Sequence, residues 1–369
     1  MLKESDVVRI AKRENNNIRK YIVVNRLQGK HIPVSPKNAF AMFDELAELV
    51  GDIYRKEKLL LVGFAETATA IGARLAVQLN TEYIQTTRES IEGVDYLFFT
   101  ESHSHATEQK LVQEDIDRVI NHTDRIVFVE DEITTGDTVL KIIEIIRNRY
   151  QDKVKFSVAS LLNGMNPESF SRFTRRGINI HYLIKTDHSS YTQKAELYNG
   201  RGLYERMKVY KETKEIEVSD LYGYIDARRC VQGKDYSQAC ERLWEQVKSC
   251  IDIKEDKNIL VVGTEEFMYP GLYVAAQIEK MDKTVRFHAT TRSPITVSEE
   301  KEYPLHHRFE LASLYDSART TYIYDLVKYD QVFIITDTKD TSDIGLGTLR
   351  EALSSVGNDR VTVFRWCKL

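Results

Sequence analysis

The sequence predicts an α/β fold of two tandem domains, each a mainly parallel sheet flanked by helices. In the first two hundred residues, apolar runs rich in β-branched residues alternate with segments of helical spacing such as NAFAMFDELAELV. The runs that predict strands are KLLLVGF, IVFVED, KFSVASLL and NIHYLIK. Several landmarks of this half recur in the same order in the second half, which indicates an internal duplication.

Composition argues against several classes of protein. The 369 residues include 52 basic and 56 acidic ones, giving a formal net charge of −4 without a basic block, so nucleic acid is not favoured as a partner. Neither a signal peptide nor a membrane-spanning run is present, which predicts a cytoplasmic protein without a membrane partner. The cysteines fit neither a disulfide framework nor a zinc pattern and are expected to be free thiols: Cys230, Cys240, Cys250 and Cys367.

The stretch IVFVEDEITTGDTVLKII, residues 126–143, joins a buried strand to a helix through two carboxylates and a Thr/Gly loop. Glu130 and Asp131 are expected where the strand ends, at the edge where doubly wound sheets bind ligands. Unpaired N–H groups at the start of the helix form an anion site, and Gly136 allows a phosphate to approach closely. Carboxylates suit hydroxyl groups or Mg²⁺, so a sugar phosphate fits the whole stretch. The alternative is an ordinary helix cap beside solvent-facing acids.

This stretch resembles the 5-phosphoribosyl-1-pyrophosphate (PRPP) motif of the type I, orotate-like phosphoribosyltransferases. The resemblance covers about thirteen residues: four apolar ones, two acidic ones and a Thr/Gly loop that ends in threonine. It implies that Glu130 and Asp131 bind the ribose hydroxyls and reach Mg²⁺ indirectly, through PRPP. It also implies a 5′-phosphate loop formed by Thr134, Thr135, Gly136, Asp137 and Thr138.

The upstream stretch LLLVGFAETATAIGARLAV has the strand, loop and helix in which that family binds pyrophosphate. The resemblance implies that the pyrophosphate loop consists of Glu66, Thr67, Ala68 and Thr69. By itself this pattern is also typical of a capped helix after any strand.

Two polar segments, TTRES at 86–90 and FTESHSHAT at 99–107, lie between these loops. The planar guanidinium of Arg88 can bind a departing pyrophosphate with two hydrogen bonds, and His103 and His105 can supply donors or a proton. Their positions resemble the catalytic lid of the orotate-type enzymes. An exposed loop with incidental histidines is the alternative.

Five landmarks suggest that the second half repeats the first. Gln28-Gly29-Lys30 recurs as Gln232-Gly233-Lys234, Gly63 as Gly263, Thr86–Arg88 as Thr290–Arg292, the HSH segment as His306-His307, and Asp131 as Asp337. The order and the nearly constant offset favour a duplication over coincidence. We therefore expect domains at residues 1–205 and 206–369, with the connection near residues 200–225.

The second copy is degenerate, because Thr336 replaces the first acid and bulky FMYP replaces the small ETAT loop. Its TRSP, residues 291–294, resembles the TRSP domain that follows a phosphoribosyltransferase domain in proteins associated with tellurium-resistance gene clusters. Orotate-type enzymes are two-fold dimers, so the resemblance suggests a pseudo-dimer within one chain, with further oligomers possible. Arg292 would then contribute to the first site, unless its TTR is only a remnant.

The sequence thus predicts an enzyme that transfers the 5-phosphoribosyl group between PRPP and a small nucleobase-like acceptor, with Mg²⁺ as cofactor. Glu130, Asp131, Arg88, His103 and His105 are the expected catalytic residues. The acceptor pocket is the least defined part. Its candidates are Leu161–Gly164 and Lys30-His31, which core packing and an exposed turn explain equally well. The alternative function is a regulator that senses PRPP or a nucleotide without catalysis.

Overall fold

The computed structural model describes residues 3–14, 19–100, 108–151, 153–209, 217–339 and 343–367. The chain forms two compact units whose residues interleave along the sequence. Unit I comprises residues 40–187 and 225–238, and unit II comprises residues 1–39, 188–224 and 239–369. Each unit therefore takes residues from both of the predicted domains.

Helices occur throughout the described part of the chain. Its α-helices are α1 Glu4–Val7, α2 Pro36–Tyr54, α3 Thr69–Leu79, α4 Gln113–Val119, α5 Asp137–Tyr150, α6 Pro167–Thr174, α7 Tyr191–Glu196, α8 Gly233–Cys250, α9 Tyr269–Glu279 and α10 Asp343–Ser355. Two short 3₁₀ turns are found at Ile120–His122 and His188–Ser190. Within the described ranges, no helix combines the length and the apolar character that crossing a membrane requires.

The strands are short, and those of the two large sheets are mostly buried. They are β1 Val8–Lys12, β2 Tyr21–Asn25, β3 Leu59–Gly63, β4 Glu82–Gln85, β5 Tyr96–Thr100, β6 Glu108–Val112, β7 Arg125–Ile133, β8 Lys155–Asn163, β9 Asn179–Lys185, β10 Leu203–Arg206, β11 Glu217–Leu221, β12 Val231–Gln232, β13 Asn258–Gly263, β14 Thr284–Ala289, β15 His307–Ala312, β16 Thr320–Tyr324, β17 Gln331–Thr336 and β18 Val361–Trp366. The four strands that the sequence predicts most clearly are confirmed as β3, β7, β8 and β9.

Unit I contains a six-stranded sheet in the order β12-β4-β3-β7-β8-β9. All neighbours are parallel except β12, which is antiparallel to β4. The chain goes from β3 outward to β4 and later returns on the other side of β3 as β7, so the winding direction reverses between β3 and β7. In open α/β sheets ligands bind at this point, beyond the carboxyl ends of the two strands.

The helices of unit I bury the faces that the sequence predicts. In α5, Val139, Ile142, Ile143 and Ile146 are all buried. In α3, Gly72 lies so close to the sheet that a Cβ atom there would be 3.0 Å from the Cα atom of Gly63. The start of α3 is therefore fixed tightly against the end of β3.

Unit II contains a second parallel sheet in the order β11-β18-β17-β13-β14. A three-stranded sheet, β10-β15-β16, and an antiparallel β1-β2 pair belong to the same unit. The β1-β2 pair contributes Ala11 and Val24 to an apolar cluster with Ile295, Val297 and Tyr324. N-terminal residues thus pack against β16 and the segment that precedes β15.

The two sheets repeat one another at the ends of β3 and β13. In unit I the N–H of Thr86 donates to the carbonyl of Gly63 at 2.9 Å, and in unit II the N–H of Thr290 donates to the carbonyl of Gly263 at 3.1 Å. Each loop to the following helix spans five residues, 64–68 and 264–268. The predicted matches of Gly63 with Gly263 and of TTR with TTR are therefore structural equivalences.

The predicted match between the two QGK triplets is wrong. Residues 28–30 precede α2, which begins only at Pro36, whereas Gly233 and Lys234 are the first residues of α8. The residues that form the corresponding bridges to the sheets are Val34, which pairs with Phe287, and Val231, which pairs with Tyr83. Five residues lie between Lys30 and Pro36, so the two triplets differ in their distance from the following helix, and three identical letters cannot reveal this.

The predicted match of the HSH segment with His306-His307 is also wrong. In the hairpin of β15 and β16, His307 is the first residue of the first strand, with His306 just before it. The HSH segment instead falls between β5 and β6, a position that corresponds to residues 313–319 in the second hairpin. His103 and His105 themselves lie outside the described residues.

Candidate active site

The predicted acid pair lies at the carboxyl edge of the unit I sheet. β3 pairs with β7 only as far as Gly63 and Val129, whereas β8 accompanies β7 to Ile133. Glu130 and Asp131 therefore lie within β7, which continues for two residues beyond them, so the expectation that the strand ends at these acids is wrong. The carboxylates nevertheless follow the last residue that β3 covers, which places them at the point where the winding reverses.

Asp131 contacts the loop that follows β3. The hydroxyl of Thr67 donates to Asp131 Oδ1 at 2.8 Å. Burial raises the pKa of Asp131 to about 6; repulsion from Glu132 acts in the same direction, and the hydrogen bond from Thr67 opposes both. The structure thus brings together the predicted pyrophosphate loop and the predicted ribose-binding acid.

The loop between β3 and α3 is held by backbone bonds. The N–H of Phe64 donates to the carbonyl of Val129 at 3.0 Å, and the N–H of Ala68 donates to the carbonyl of Phe64 at 2.9 Å. The peptide bond between Ala65 and Glu66 is cis. Of residues 64–69, only Thr67 is more than slightly exposed. The predicted residues Glu66, Ala68 and Thr69 are therefore available to a ligand mainly through their backbone.

The predicted phosphate loop, residues 134–138, forms the start of α5. Thr134, Thr135 and Thr138 are all partly exposed. The first N–H groups of a helix have no intrahelical acceptor, so with the positive end of the helix dipole they favour an anion here. These hydroxyl and N–H groups give the loop the donors that a phosphate requires.

A cation that sequence reasoning missed lies beside this loop. Arg172 of α6 donates to Asp137 Oδ1 at 2.7 Å, and both side chains remain partly exposed. Asp137 was predicted as a PRPP ligand, but its carboxylate is an acceptor for Arg172. No motif in the sequence of α6 indicates this pairing, which joins residues 35 apart.

Residue 136 must be a glycine for a structural reason that the sequence does not reveal. Its φ of +72° lies in the left-handed region, and a Cβ atom would be 2.4 Å from Phe173 Cζ and 2.8 Å from Met165 Cε. A larger residue at position 136 would therefore disturb the fold in addition to any effect on phosphate binding. Gly136 is required by its backbone conformation and by the packing of α6 against the loop.

Arg88 follows β4, next to the hairpin formed by β5 and β6. The preceding residue, Thr87, exchanges two backbone hydrogen bonds with Lys110 of β6, at 2.9 and 3.0 Å. Arg88 itself is half-buried. The TTR segment thus connects the end of β4 with the hairpin whose two strands flank residues 101–107.

The candidate acceptor residues lie in different surroundings. Leu161 and Leu162 are buried, and Lys185 donates to both the carbonyl and the side chain of Asn163. Lys30 belongs to unit II, where its Nζ donates to the carbonyls of Glu265 and Thr290 at 2.8 and 2.9 Å. The interpretation of Lys30 as a pocket-lining residue is therefore wrong, because its ammonium group is fully buried and holds the second loop.

In unit II, the position equivalent to the acid pair is surrounded by side chains of unit II. Pairing of Gly263 with Ile335 makes Thr336 the equivalent of Glu130, and Asp337 the equivalent of Asp131. The carboxylate of Asp337 accepts hydrogen bonds from the hydroxyls of Tyr315 and Tyr224, at 2.6 and 2.9 Å. Two tyrosine hydroxyls thus provide hydrogen-bond donors to Asp337, the acid that the second copy has retained.

Arg292 is part of a buried ionic cluster in unit II. Its guanidinium lies 2.7 Å from Glu265 and 3.4 Å from Glu266, and each carboxylate side chain is only 1% exposed. Glu265 also accepts from Ser313 and lies 3.4 Å from Arg319. Its predicted contribution to the first site stays a prediction, but the arginine already serves its own unit.

Removing this guanidinium is expected to destabilise the protein. Glu265 retains its contacts with Ser313 and Arg319 in the variant. Arg292→Ala should therefore lower the free energy of unfolding by about 1.5–3 kcal/mol, the contribution of one charged hydrogen bond. Denaturant unfolding measures this cost. Arg88→Ala, in the equivalent position of unit I, is the matched control, and an Arg292→Ala protein as stable as the parent would contradict the assignment.

The donor set at the acid pair decides what kind of metal it could hold. Among the described residues, no group of three or more His, Cys, Asp or Glu side chains is arranged to hold a metal ion. Mg²⁺ often binds through one or two carboxylates while it takes its other ligands from water and substrate phosphates. The residues present therefore fit a magnesium ion that arrives with its substrate.

Two comparisons with known proteins find matches. Residues 7–191 match a family model described as phosphoribosyl transferase, and residues 226–352 match the model of the TRSP domain C-terminal to it. Among solved structures, the adenine phosphoribosyltransferase of Giardia lamblia complexed with 9-deazaadenine is 16% identical, with a TM-score of 0.36 over 51% of this chain and 100% of that one. The orotate phosphoribosyltransferase of Aeropyrum pernix is 17% identical, with a TM-score of 0.31 over 48% of this chain and 85% of that one.

The comparison with curated proteins finds no match. The family model, however, covers half of the chain, and it includes both loops and the acid pair of unit I. The chain belongs to the phosphoribosyl transferase family, with a TRSP domain after its transferase domain.

Proposed function

We propose that unit I binds PRPP and transfers its 5-phosphoribosyl group to a nitrogenous, nucleobase-like acceptor with the help of Mg²⁺. The observation that carries this proposal is the hydrogen bond between Thr67 and Asp131, which joins the loop after β3 to the acids of β7. Pyrophosphate, ribose and 5′-phosphate sites would then follow one another along a single edge of the sheet. PRPP presents these three groups in the same order.

Each part of the edge suits one part of the substrate. Glu130 and Asp131 would accept hydrogen bonds from the ribose hydroxyls, because ionised carboxylates are strong acceptors without a donor of their own. The N–H and hydroxyl groups of residues 134–138 would bind the 5′-phosphate, and Arg172 beside them adds positive charge. The loop at residues 66–69 and Arg88 would bind pyrophosphate.

In the proposed reaction the bond between ribose C1 and the pyrophosphate oxygen breaks, and a bond from C1 to the acceptor nitrogen forms. Pyrophosphate leaves with the bonding electron pair, and the acceptor nitrogen releases a proton. The protein contributes by positioning the two partners and by placing Arg88 where negative charge develops. Glu130 and Asp131 would reach Mg²⁺ indirectly, through the PRPP that they bind, and the ion would neutralise part of the leaving group's charge.

Asp131→Asn tests the ribose site, because it removes a charged acceptor while it can still accept the hydrogen bond from Thr67. PRPP affinity is expected to fall by about 1.5–3 kcal/mol, which is roughly 10- to 150-fold. Calorimetric titration with PRPP and Mg²⁺ measures this, and Asp337→Asn at the equivalent position of unit II is the control. An unchanged affinity in Asp131→Asn would remove Asp131 from the site.

The raised pKa of Asp131 adds a pH dependence to the same experiment. Its carboxyl group is neutral below a pKa of about 6, so PRPP affinity should weaken as the pH falls through 6. The folding contribution has the opposite sign, because the folded state binds this proton more tightly than the unfolded state and gains stability as the pH falls. PRPP has titrating groups of its own, so the Asp131→Asn variant provides the reference: the difference in pH profile belongs to Asp131.

Turnover distinguishes the enzyme from a PRPP-sensing regulator. Release of pyrophosphate should be measured with PRPP, Mg²⁺ and a panel of nucleobases. Release that depends on one acceptor supports the transferase and identifies its substrate. PRPP binding without release for any acceptor would favour the sensor, and a parent protein that does not bind PRPP would contradict both.

A further inference from the structure

Two hydrogen bonds hold Ala65 in the loop after β3, and a third joins the two side chains that make them. Its N–H donates to Thr86 Oγ1 at 2.8 Å, and its carbonyl accepts from Gln109 Nε2 at 2.6 Å. The Thr86 hydroxyl in turn donates to Gln109 Oε1, which closes a ring of three side-chain bonds. All three residues are buried. This ring, formed by Ala65, Thr86 and Gln109, is called the Ala65 clamp below.

The Ala65 clamp fixes the peptide groups on both sides of one residue. A peptide group is planar, so a fixed carbonyl of Ala65 also fixes the direction of the Glu66 N–H. Glu66 is the first residue of the predicted pyrophosphate loop, and its side chain is buried, which leaves the backbone to meet a ligand. The orientation of this loop therefore depends on Gln109, which lies 44 residues away in the sequence.

Unit II holds the same loop position with different chemistry. The N–H of Glu265 donates to Thr290 Oγ1 at 3.0 Å, as Ala65 does to Thr86. The carbonyl of Glu265, however, accepts from Lys30 Nζ at 2.8 Å. Thr321 occupies the place of Gln109, and in the described part of the chain its hydroxyl has no hydrogen-bond partner. In both units the carbonyl of the second loop residue therefore has a side-chain donor. Unit I supplies this donor from β6, as Gln109, and unit II supplies it from Lys30.

We infer that Gln109 is a positioning residue for pyrophosphate, acting through Ala65 on the backbone of residues 66–69. The inference rests on the proposed function of unit I. A neutral amide offers a donor to Ala65 and an acceptor to Thr86 at once, so no apolar or purely acidic residue of similar size can replace it. Loss of the clamp should weaken contacts to the pyrophosphate of PRPP, and contacts to the acceptor should stay as they are.

Gln109→Met tests the inference, because it keeps the length of the side chain and removes both hydrogen bonds. We expect the KM for PRPP to rise at least tenfold and kcat to fall, with the KM for the acceptor unchanged within twofold. Amide hydrogen exchange at residues 65–68 should become faster in the free protein, which requires no ligand. Thr290→Val is the control: it removes a hydrogen bond to the equivalent loop residue of unit II, Glu265, and should leave the KM for PRPP unchanged.

A second variant covers the case in which Gln109→Met does not fold. Gln109→Glu retains an acceptor for Thr86 but loses the donor to Ala65, and it should show the same selective rise in the KM for PRPP. A folded variant with the parent's KM for PRPP and the parent's amide exchange overturns the role of Gln109 alone. A parent protein that fails to bind PRPP overturns the proposed function and this inference with it, while the exchange rates still show whether the clamp holds the loop.

Discussion

Gly136→Ala is expected to lower the free energy of unfolding by about 2–5 kcal/mol. The left-handed φ of +72° costs an alanine about 1–2 kcal/mol, because its Cβ atom approaches the following carbonyl. The same Cβ atom would lie 2.4 Å from Phe173, a residue with no exposed surface, and such overpacking adds about 1–3 kcal/mol. Denaturant unfolding of the variant and the parent measures the sum.

Gly177→Ala separates the two causes. Gly177 also belongs to unit I and has a φ of +68°, but a Cβ atom there would meet nothing within 4 Å. It should therefore lose only the conformational part, about 1–2 kcal/mol. Equal losses in the two variants would show that Phe173 and Met165 move aside, and the steric part of the argument would be wrong.

The crowding around Gly136 also changes how the phosphate loop has to be tested. A large residue at this position disturbs the packing of α6, so a loss of ligand binding in such a variant would not report on phosphate contact alone. The partly exposed hydroxyls of Thr134 and Thr138 are better probes, because their removal leaves the φ of residue 136 and its contact with Phe173 intact. Substitutions of these threonine side chains can therefore test ligand binding at the loop without disturbing its fold, whereas substitutions of Gly136 cannot.

The parts of the site that could be predicted from the sequence are those formed by residues close together in the chain. The acid pair, the Thr/Gly loop and the apolar face of α5 occupy one stretch of eighteen residues, 126–143, in which the change from strand to helical spacing is visible. The order of winding in the sheet then brings the loop after β3 to the same edge. Parallel strands connected by helices place their carboxyl ends together, so no long-range contact had to be known.

The parts that the sequence did not predict depend on contacts between distant residues. Gln109 meets Ala65 across 44 positions, and Arg172 meets Asp137 across 35, without a motif around either partner. A buried glutamine and a helical arginine have many possible partners, and only the packing of the hairpin and of α6 selects one. Hydrogen bonds and ion pairs of this kind follow from the fold and not from local spacing.

The two QGK triplets show how identical residues can take opposite roles. Lys30 is fully buried in unit II, whereas Lys234 is exposed at the start of α8 in unit I. The difference arises because five residues separate Lys30 from its helix, whereas Lys234 is already inside its own. The two triplets are therefore not equivalent positions of the two copies, and the distance to the helix decides the surroundings of each lysine.

Lys30→Met is accordingly expected to destabilise unit II by about 2–5 kcal/mol. The ammonium group donates to the buried carbonyls of Glu265 and Thr290, and each bond from a charged donor contributes about 1.5–3 kcal/mol. Methionine fills a similar volume but leaves both carbonyls without this donor. Part of the loss is offset because the variant no longer has to bury a charge, so the sum stays below that of two full bonds. Chemical denaturation followed by a probe in unit II, such as the fluorescence of Trp366, measures the effect.

Lys234→Met is the matched control, since it removes the same residue from the same triplet at an exposed position. Its free energy of unfolding should stay within about 0.5 kcal/mol of the parent value. If Lys30→Met were equally harmless, the carbonyls of Glu265 and Thr290 would have to find other donors, and the loop of unit II would not need its lysine. A large loss confined to Lys30→Met would instead show that this loop, like the one held by Gln109 in unit I, depends on a donor to the carbonyl of its second residue. The two copies would then have kept the same requirement and met it with different side chains.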